Sequence, residues 1–151
     1  MTASARLTEL GLTLPKVPKP LAAYVPATRS GSQVLTAGQL PFVDGALTVT
    51  GAVGGAVTQE QAYEAARTAG LNAIAAAASV AGGVDAITRV VRVCVFVAST
   101  PDFTAHPAVA NGASELMVEV FGEAGKHVRS AVGVSSLPMG SPVEVELVVE
   151  L

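Results

Sequence analysis

The run Val90-Val-Arg-Val-Cys-Val-Phe-Val-Ala98 constrains the fold of this chain more than any other segment. Valine carries two heavy atoms on Cβ, which stiffens χ1 and favours an extended backbone, so the run predicts a β-strand. Side chains alternate between the faces of a strand. Val91, Val93, Val95 and Val97 then share one face, and Val90, Cys94, Phe96 and Ala98 share the other. Neither face suits water, so the strand belongs inside a sheet that is covered on both sides.

Two helices are available to cover one of those sides. Thr58-Gln-Glu-Gln61 has the form of a capping box. A helix from there to about Ala81 places Ala62, Ala66, Ala69, Ala73, Ala76 and Val80 at helical spacing, and Gly82-Gly83 can close it in the left-handed conformation. A second helix from about Pro107 to Phe121 carries the stripe Val109, Ala113, Leu116, Met117 and Val120 and ends at Gly122.

Strands fill the rest. Ser32 to Leu40 reads as one, and Asp44-Gly45 signals a hairpin turn ahead of Leu47 to Thr50. Arg129 to Ser136 and Val143 to Leu151 read as two more, joined across residues 137–142. Residues 1–21 hold a helical turn from Arg6 to Leu10 and then Leu14-Pro-Lys-Val-Pro-Lys-Pro20, which predicts an extended arm. Residues 22–151 form a single domain. The order strand, strand, helix, strand, helix, strand, strand describes an α+β sandwich of one sheet and two helices.

Two helices leave the other face of the sheet bare. Charged residues make up 14% of the 151-residue chain and hydrophobic residues 50%, against the ~25% charged residues usual in globular domains. That excess of apolar surface predicts that the bare face packs against copies of the same chain.

Composition also narrows the chemistry. A net charge of -3 with no basic run argues against a nucleic-acid partner, which needs clustered cations. One cysteine, Cys94, allows no internal disulfide, and no Cys/His spacing suggests a metal site. The N-terminus lacks the charged and apolar regions of a secretory signal, and no stretch suits a bilayer span, so a cytoplasmic protein is expected. Ser135 and Ser136 lie outside any G-x-S-x-G elbow, and Gly51 to Gly55 matches neither the phosphate loop nor the dinucleotide fingerprint.

Cys94 reads as core, Tyr63 and Phe103 as packing residues and His106 as a helix-start residue, while His127, in the link before the last two strands, reads as a solvated loop histidine or, alternatively, as the border of a site. Arg129 and Glu144 stand apart. Arg129 opens a strand otherwise made of small and apolar residues, where its guanidinium could clamp a carboxylate. The alternative is an ion pair with Glu123 or with a glutamate of the neighbouring strand. Glu144 follows Pro142, and a short connection between the last two strands would bring it close to Arg129 across the ladder. A solvated edge shared with Glu146 and Glu150 is the alternative there.

Three segments resemble one family. Tyr24-Val25, Gly31 and Val34-Leu-Thr-Ala-Gly-Gln-Leu-Pro41 form the first, Val91 to Val97 the second, and Arg129-Ser130, Leu137-Pro138 and Val143-Glu-Val-Glu146 the third. In this order and spacing they resemble the Rid family, the reactive intermediate deaminases also called YjgF. The resemblance runs from about Tyr24 to Leu151. It implies a chorismate-mutase-like α+β fold, a mostly antiparallel sheet with two helices on one face, assembled as a homotrimer with sites between subunits.

It also implies hydrolysis of 2-imino acids and enamines to 2-oxo acids and ammonia, without metal or cofactor. On this resemblance Arg129 holds the substrate carboxylate and Glu144 positions water. Tyr24 is contributed across the interface, Ala37 and Gly38 line the pocket with backbone, and Ala131 stands where well-studied members carry a cysteine. Asn111 matches a pocket asparagine with a register offset of one, so Gly112 competes for that place. The link Gly125-Lys-His-Val128 departs from the family's aromatic-Pro-Ala approach to the arginine, which leaves pocket shape and substrate side chain open. A non-catalytic carboxylate-binding module and a ribonuclease are the other readings.

Overall fold

The valine-rich run is indeed a strand, the fifth along the chain. The computed structural model describes all 151 residues. In chain order they form α1 (Ala3–Glu9), β1 (Ala27–Ser30), β2 (Gln33–Thr36), β3 (Phe42–Val43), β4 (Ala46–Leu47), α2 (Gln59–Ala81), β5 (Arg89–Ala98), α3 (His106–Phe121), β6 (Val128–Val134) and β7 (Val143–Glu150). The main sheet has five strands in the order β1-β2-β7-β5-β6. Only the β5–β6 pair is parallel; its neighbours pair antiparallel. The mostly antiparallel α+β expectation therefore holds.

Register assigns the faces. Val93, Val95 and Val97 pair with Leu147, Val145 and Val143, and all six are buried beneath α2 and α3. Fully burying a valine or leucine side chain is worth roughly 1.5–3 kcal/mol, so this row anchors the helices to the sheet. Val90 joins the same row opposite Val149, contrary to simple alternation, because the ladder slips between Val90 and Arg92. The extra residue of such a bulge, here Val91, flips every position beyond it to the other face.

The helix ends follow their local chemistry. Thr58 Oγ1 accepts from the Gln61 backbone N–H at 3.1 Å, and Gln61 Oε1 accepts from the Thr58 N–H at 2.9 Å. Gly82 ends α2 at φ 90°. The Asp44-Gly45 turn forms as read, both residues at positive φ, but β3 and β4 make a separate two-stranded sheet.

Three features differ from the sequence reading. β1 adds a strand that Thr28, Arg29 and Ser30 conceal, since only Ala27 of the four residues is buried. The arm is not wholly extended: α1 docks on the body through buried Leu7, and Ser4 donates to the Asp85 carboxylate from its backbone N–H (2.8 Å) and its hydroxyl (2.6 Å). Most consequential, β6 and β7 are not neighbours, because β5 lies between them.

The face away from the helices carries exposed apolar side chains, among them Leu35 (39% exposed), Val128 (61%) and Val132 (45%). No helix is long and apolar enough to cross a membrane.

Candidate functional site

Arg129 sits at the start of β6, the free edge of the sheet, in register with Val93. Val93 belongs to the row under the helices, so the Arg129 side chain is directed toward α3. Its Nη1 donates to Asn111 Oδ1 at 2.8 Å and to Ser114 Oγ at 3.2 Å. Those two residues lie three apart on α3, the spacing that stacks side chains on one helix face. Both Nη1 protons are thereby engaged. The Nε–H and the two Nη2 protons make no hydrogen bond within the chain, and they form the parallel fork that suits a carboxylate.

Arg129, Ser114 and His127 line a cavity of about 560 Å³ together with Glu115, Val118, Glu119 and Lys126. Most of the other charges there are already engaged. Glu119 pairs with Arg67 at 2.7 Å, and Lys126 pairs with Glu123 at 2.9 Å. Glu115 accepts a hydrogen bond from Tyr63, which raises the Tyr63 phenol to about 12. Arg129 is the cation without a carboxylate partner, held only by a neutral amide and a neutral hydroxyl. Neither Glu123 nor a strand glutamate pairs with it, so the structural alternative of an ion pair is not realised.

The sequence gives no sign of Ser114 and favours a solvated His127 over one that borders a site. In the structure His127 Nε2 lies 2.9 Å from Ser114 Oγ, and its Nδ1 lies 2.6 Å from the Gly125 carbonyl. Gly125 is pressed so closely on α3 that a Cβ there would stand 2.2 Å from the Met117 carbonyl oxygen. That close approach fixes the carbonyl on which His127 rests. Spacing alone could not signal this, because Ser114 and His127 meet only after a turn of chain closes α3.

Glu144 occupies a different place. It is in register with Phe96, and Phe96 with Val132, three residues beyond Arg129 on β6. An odd separation along a strand means opposite faces. Within one chain Arg129 points toward the helices and Glu144 away from them, two strands apart. The expected contact across the ladder is therefore corrected: β5 intervenes and the pleat turns the two groups apart.

Glu144 instead lies against Gly38, where a Cβ would stand 1.7 Å from its Oε1. Its carboxyl is half-buried. Burial first, and then the Glu146 carboxylate on the same face, holds it above the usual carboxylate range.

The remaining candidates fall into place around these two clusters. Asn111, not Gly112, reaches Arg129, while Gly112 packs against the Tyr63 carbonyl of α2. Ala131 follows Arg129 on the same face, opposite Val95. Ala37 donates its backbone N–H to the Pro26 carbonyl at 2.8 Å, which ties the end of β2 beside Gly38. Tyr24 is 59% exposed on the segment before β1, at the edge of the sheet remote from β6. Cys94 is buried, and burial pushes its thiol up, away from the reactive thiolate. His106 opens α3 and lies 3.0 Å from Ser99 Oγ through Nε2.

A family model described as YjgF/chorismate mutase-like, putative endoribonuclease, matches residues 4–151. The chain belongs to the YjgF/chorismate mutase-like family. Its relatives include protein TCP17 of Trypanosoma cruzi, 43% identical over 149 residues, covering 98% of this chain and 93% of that one. Among solved structures, the Agrobacterium tumefaciens protein Atu1372, of unknown function, is 43% identical with a TM-score of 0.90, over 99% of this chain and 92% of that one. A Shewanella oneidensis protein described as a putative endoribonuclease is 36% identical with a TM-score of 0.95, over the whole of both chains. The YjgF-family match begins at residue 4, so it takes in α1 as well as the sheet and the two long helices.

Proposed function

We propose that this protein hydrolyses reactive 2-imino acids and their enamine tautomers to 2-oxo acids and ammonia, in sites shared between the subunits of a homotrimer. The observation that supports this best is the Arg129 fork. A guanidinium that lines a cavity, held in place by neutral acceptors and with two parallel donors free of any partner in the chain, is prepared for a small carboxylate.

A carboxylate seated there brings with it the adjacent imine carbon. Water adds to that carbon, a proton passes to the nitrogen, the C–N bond breaks and ammonia leaves the new carbonyl. The carbon is already electrophilic, so orientation and proton transfer suffice and no cofactor enters. Glu144 is the group suited to position and deprotonate the water, since a carboxylate raised by burial is a stronger base.

Arg129 and Glu144 face opposite ways in one chain, so a site holding both must draw them from two subunits. The exposed apolar residues of the open face favour such an assembly. Tyr24, exposed at the far edge, is in this reading a further contribution from the neighbour.

Mixing subunits tests the shared site. Arg129→Ala and Glu144→Gln chains are each expected to be inactive toward 2-iminopropanoate generated in the assay. Co-expressed in equal amounts, they restore about a quarter of wild-type 2-oxo acid release, because a quarter of the interfaces then combine an intact arginine with an intact glutamate. No recovery from the mixture would overturn the shared site. A wild type that binds pyruvate without releasing product points instead to a carboxylate-binding module.

Gly38→Ala gives a second test of Glu144. Gly38 has a φ open to any residue, and the atoms its Cβ would meet belong to the Glu144 side chain, not to backbone. Melting temperature should therefore change by less than about 3 °C, in keeping with a cost below 1 kcal/mol. Turnover should fall about tenfold or more as the carboxylate is displaced. Unchanged turnover sinks the water-positioning role. The endoribonuclease named in the relatives' descriptions finds less support, for net charge is -3 and Lys126 is already paired.

A further inference from the structure

We propose that Ser114 and His127 are positioning residues that present the Nε–Nη2 edge of Arg129 to the ligand carboxylate, with His127 acting only through Ser114. The proposal rests on the carboxylate-clamp reading and assigns to it two residues that neither composition nor the family resemblance singled out.

With the His127 imidazole neutral, the polarity of the chain of hydrogen bonds follows from which groups can donate and which can only accept. The Gly125 carbonyl can only accept, so His127 carries its proton on Nδ1 and donates it there at 2.6 Å. In the neutral ring Nε2 is then an acceptor, and the Ser114 hydroxyl must donate to it across 2.9 Å. With its proton committed, Ser114 Oγ offers only lone pairs, and Arg129 Nη1, which can only donate, uses one at 3.2 Å. Asn111 Oδ1 accepts the second Nη1 proton at 2.8 Å.

The relay thus ends on a guanidinium that can rotate little without breaking a bond. A free arginine samples many rotamers, and a clamp that is already ordered does not lose that freedom again on binding. The origin of the relay is a backbone carbonyl wedged against α3 by Gly125, so a rigid part of the fold sets the orientation of the clamp.

The other charged groups around the cavity do not supply this hold. Glu115, Glu119 and Lys126 have partners of their own in Tyr63, Arg67 and Glu123. Without Ser114 the Nη1 group keeps Asn111 alone, and one hydrogen bond leaves the plane of the fork free to turn about it.

Pyruvate is the probe, with binding followed by calorimetry and turnover of 2-iminopropanoate followed in parallel. Ser114→Ala is expected to weaken pyruvate binding about five- to tenfold, less than the loss of a direct hydrogen bond between a charged group and the ligand, because the bond removed orients the clamp and does not touch pyruvate. KM should rise by the same factor while kcat stays within about twofold, since the fork binds ground state and transition state alike. Ser114→Thr, which keeps the hydroxyl, should restore wild-type binding. His127→Ala should weaken binding no more than Ser114→Ala does, and the double variant should be no weaker than Ser114→Ala, because the only side-chain hydrogen bond of the histidine toward Arg129 runs through the serine.

Additive losses in the double variant, or wild-type binding by Ser114→Ala, overturn the proposal. Arg129→Ala separates this from failure of the clamp: if it loses pyruvate while Ser114→Ala does not, only the relay is wrong. If Arg129→Ala itself binds pyruvate normally, the clamp reading falls and the relay with it.

Discussion

Arg129→Ala is expected to reduce the proposed hydrolysis of 2-iminopropanoate to the rate without protein and to weaken pyruvate binding about a hundredfold or more. The magnitude reflects two charge-assisted hydrogen bonds lost at once from a partly buried site, where each is worth roughly 1.5–3 kcal/mol. Arg129→Lys behaves almost as badly. An ammonium is a point charge on a flexible stem, unable to keep Asn111 and Ser114 and also offer two parallel donors. Folding should survive both changes, because Arg129 has no carboxylate partner to strand and its two acceptors are part-exposed. Circular dichroism melts near the wild-type value, beside calorimetry with pyruvate, check the pair of expectations. Retained pyruvate affinity in Arg129→Ala would remove the clamp from the mechanism.

Gly112→Ala has the largest expected effect on stability. Alanine favours a helix over glycine by about 1 kcal/mol. Here that gain is overwhelmed, because the new Cβ would lie 2.0 Å from the Tyr63 carbonyl oxygen and 3.1 Å from the Arg67 nitrogen, both backbone atoms of α2. Backbone cannot turn aside as a side chain can, so α2 and α3 must separate. A cost of roughly 3 kcal/mol or more follows, and a melting temperature lower by about 10 °C. Gly70→Ala on the facing helix is the control. Its Cβ meets the Ala113 Cβ at 3.3 Å, a contact that small shifts relieve, so its melting temperature should drop far less. Equal effects in the two variants would refute the close-packing argument. Gly112→Ala also disturbs Asn111 and Ser114, on either side of Arg129's guanidinium, so whatever protein remains folded should bind pyruvate weakly.

Much of the fold could be read from local signals. The valine run specified an interior strand, the Thr58 and Gln61 pair specified the start of α2, Gly82 its end and Asp44-Gly45 a hairpin turn. Each is a short-range effect of sterics or hydrogen bonding, complete within a few residues. β1 escaped notice because its exposed Thr28, Arg29 and Ser30 leave no apolar alternation, and its pairing with β2 is satisfied by backbone alone. The docking of α1 was hidden for a related reason: a single buried leucine and a serine reaching Asp85, far along the chain, leave no periodicity.

The candidate site divides in the same way. Arg129 and Glu144 were conspicuous among so few charges, and family resemblance assigned them roles. That Asn111 rather than Gly112 serves the arginine depends on the rotation of α3 about its axis, which the contact between Gly112 and α2 sets. That Ser114 and His127 belong to the site depends on the close seat of Gly125 against Met117.

Sequence order alone suggested that β6 and β7, consecutive and joined by a short link, would be neighbours. Strand order is a long-range choice, made by which buried rows pack best beneath the helices, and here it inserts β5 between them. That choice, together with the two-residue period of the pleat, turns Arg129 and Glu144 to opposite faces. Residue chemistry could name the two groups, and local rules could place them near strand ends. Their separation within one chain arises from nonlocal packing, and it is this separation that makes a second subunit necessary to the proposed reaction.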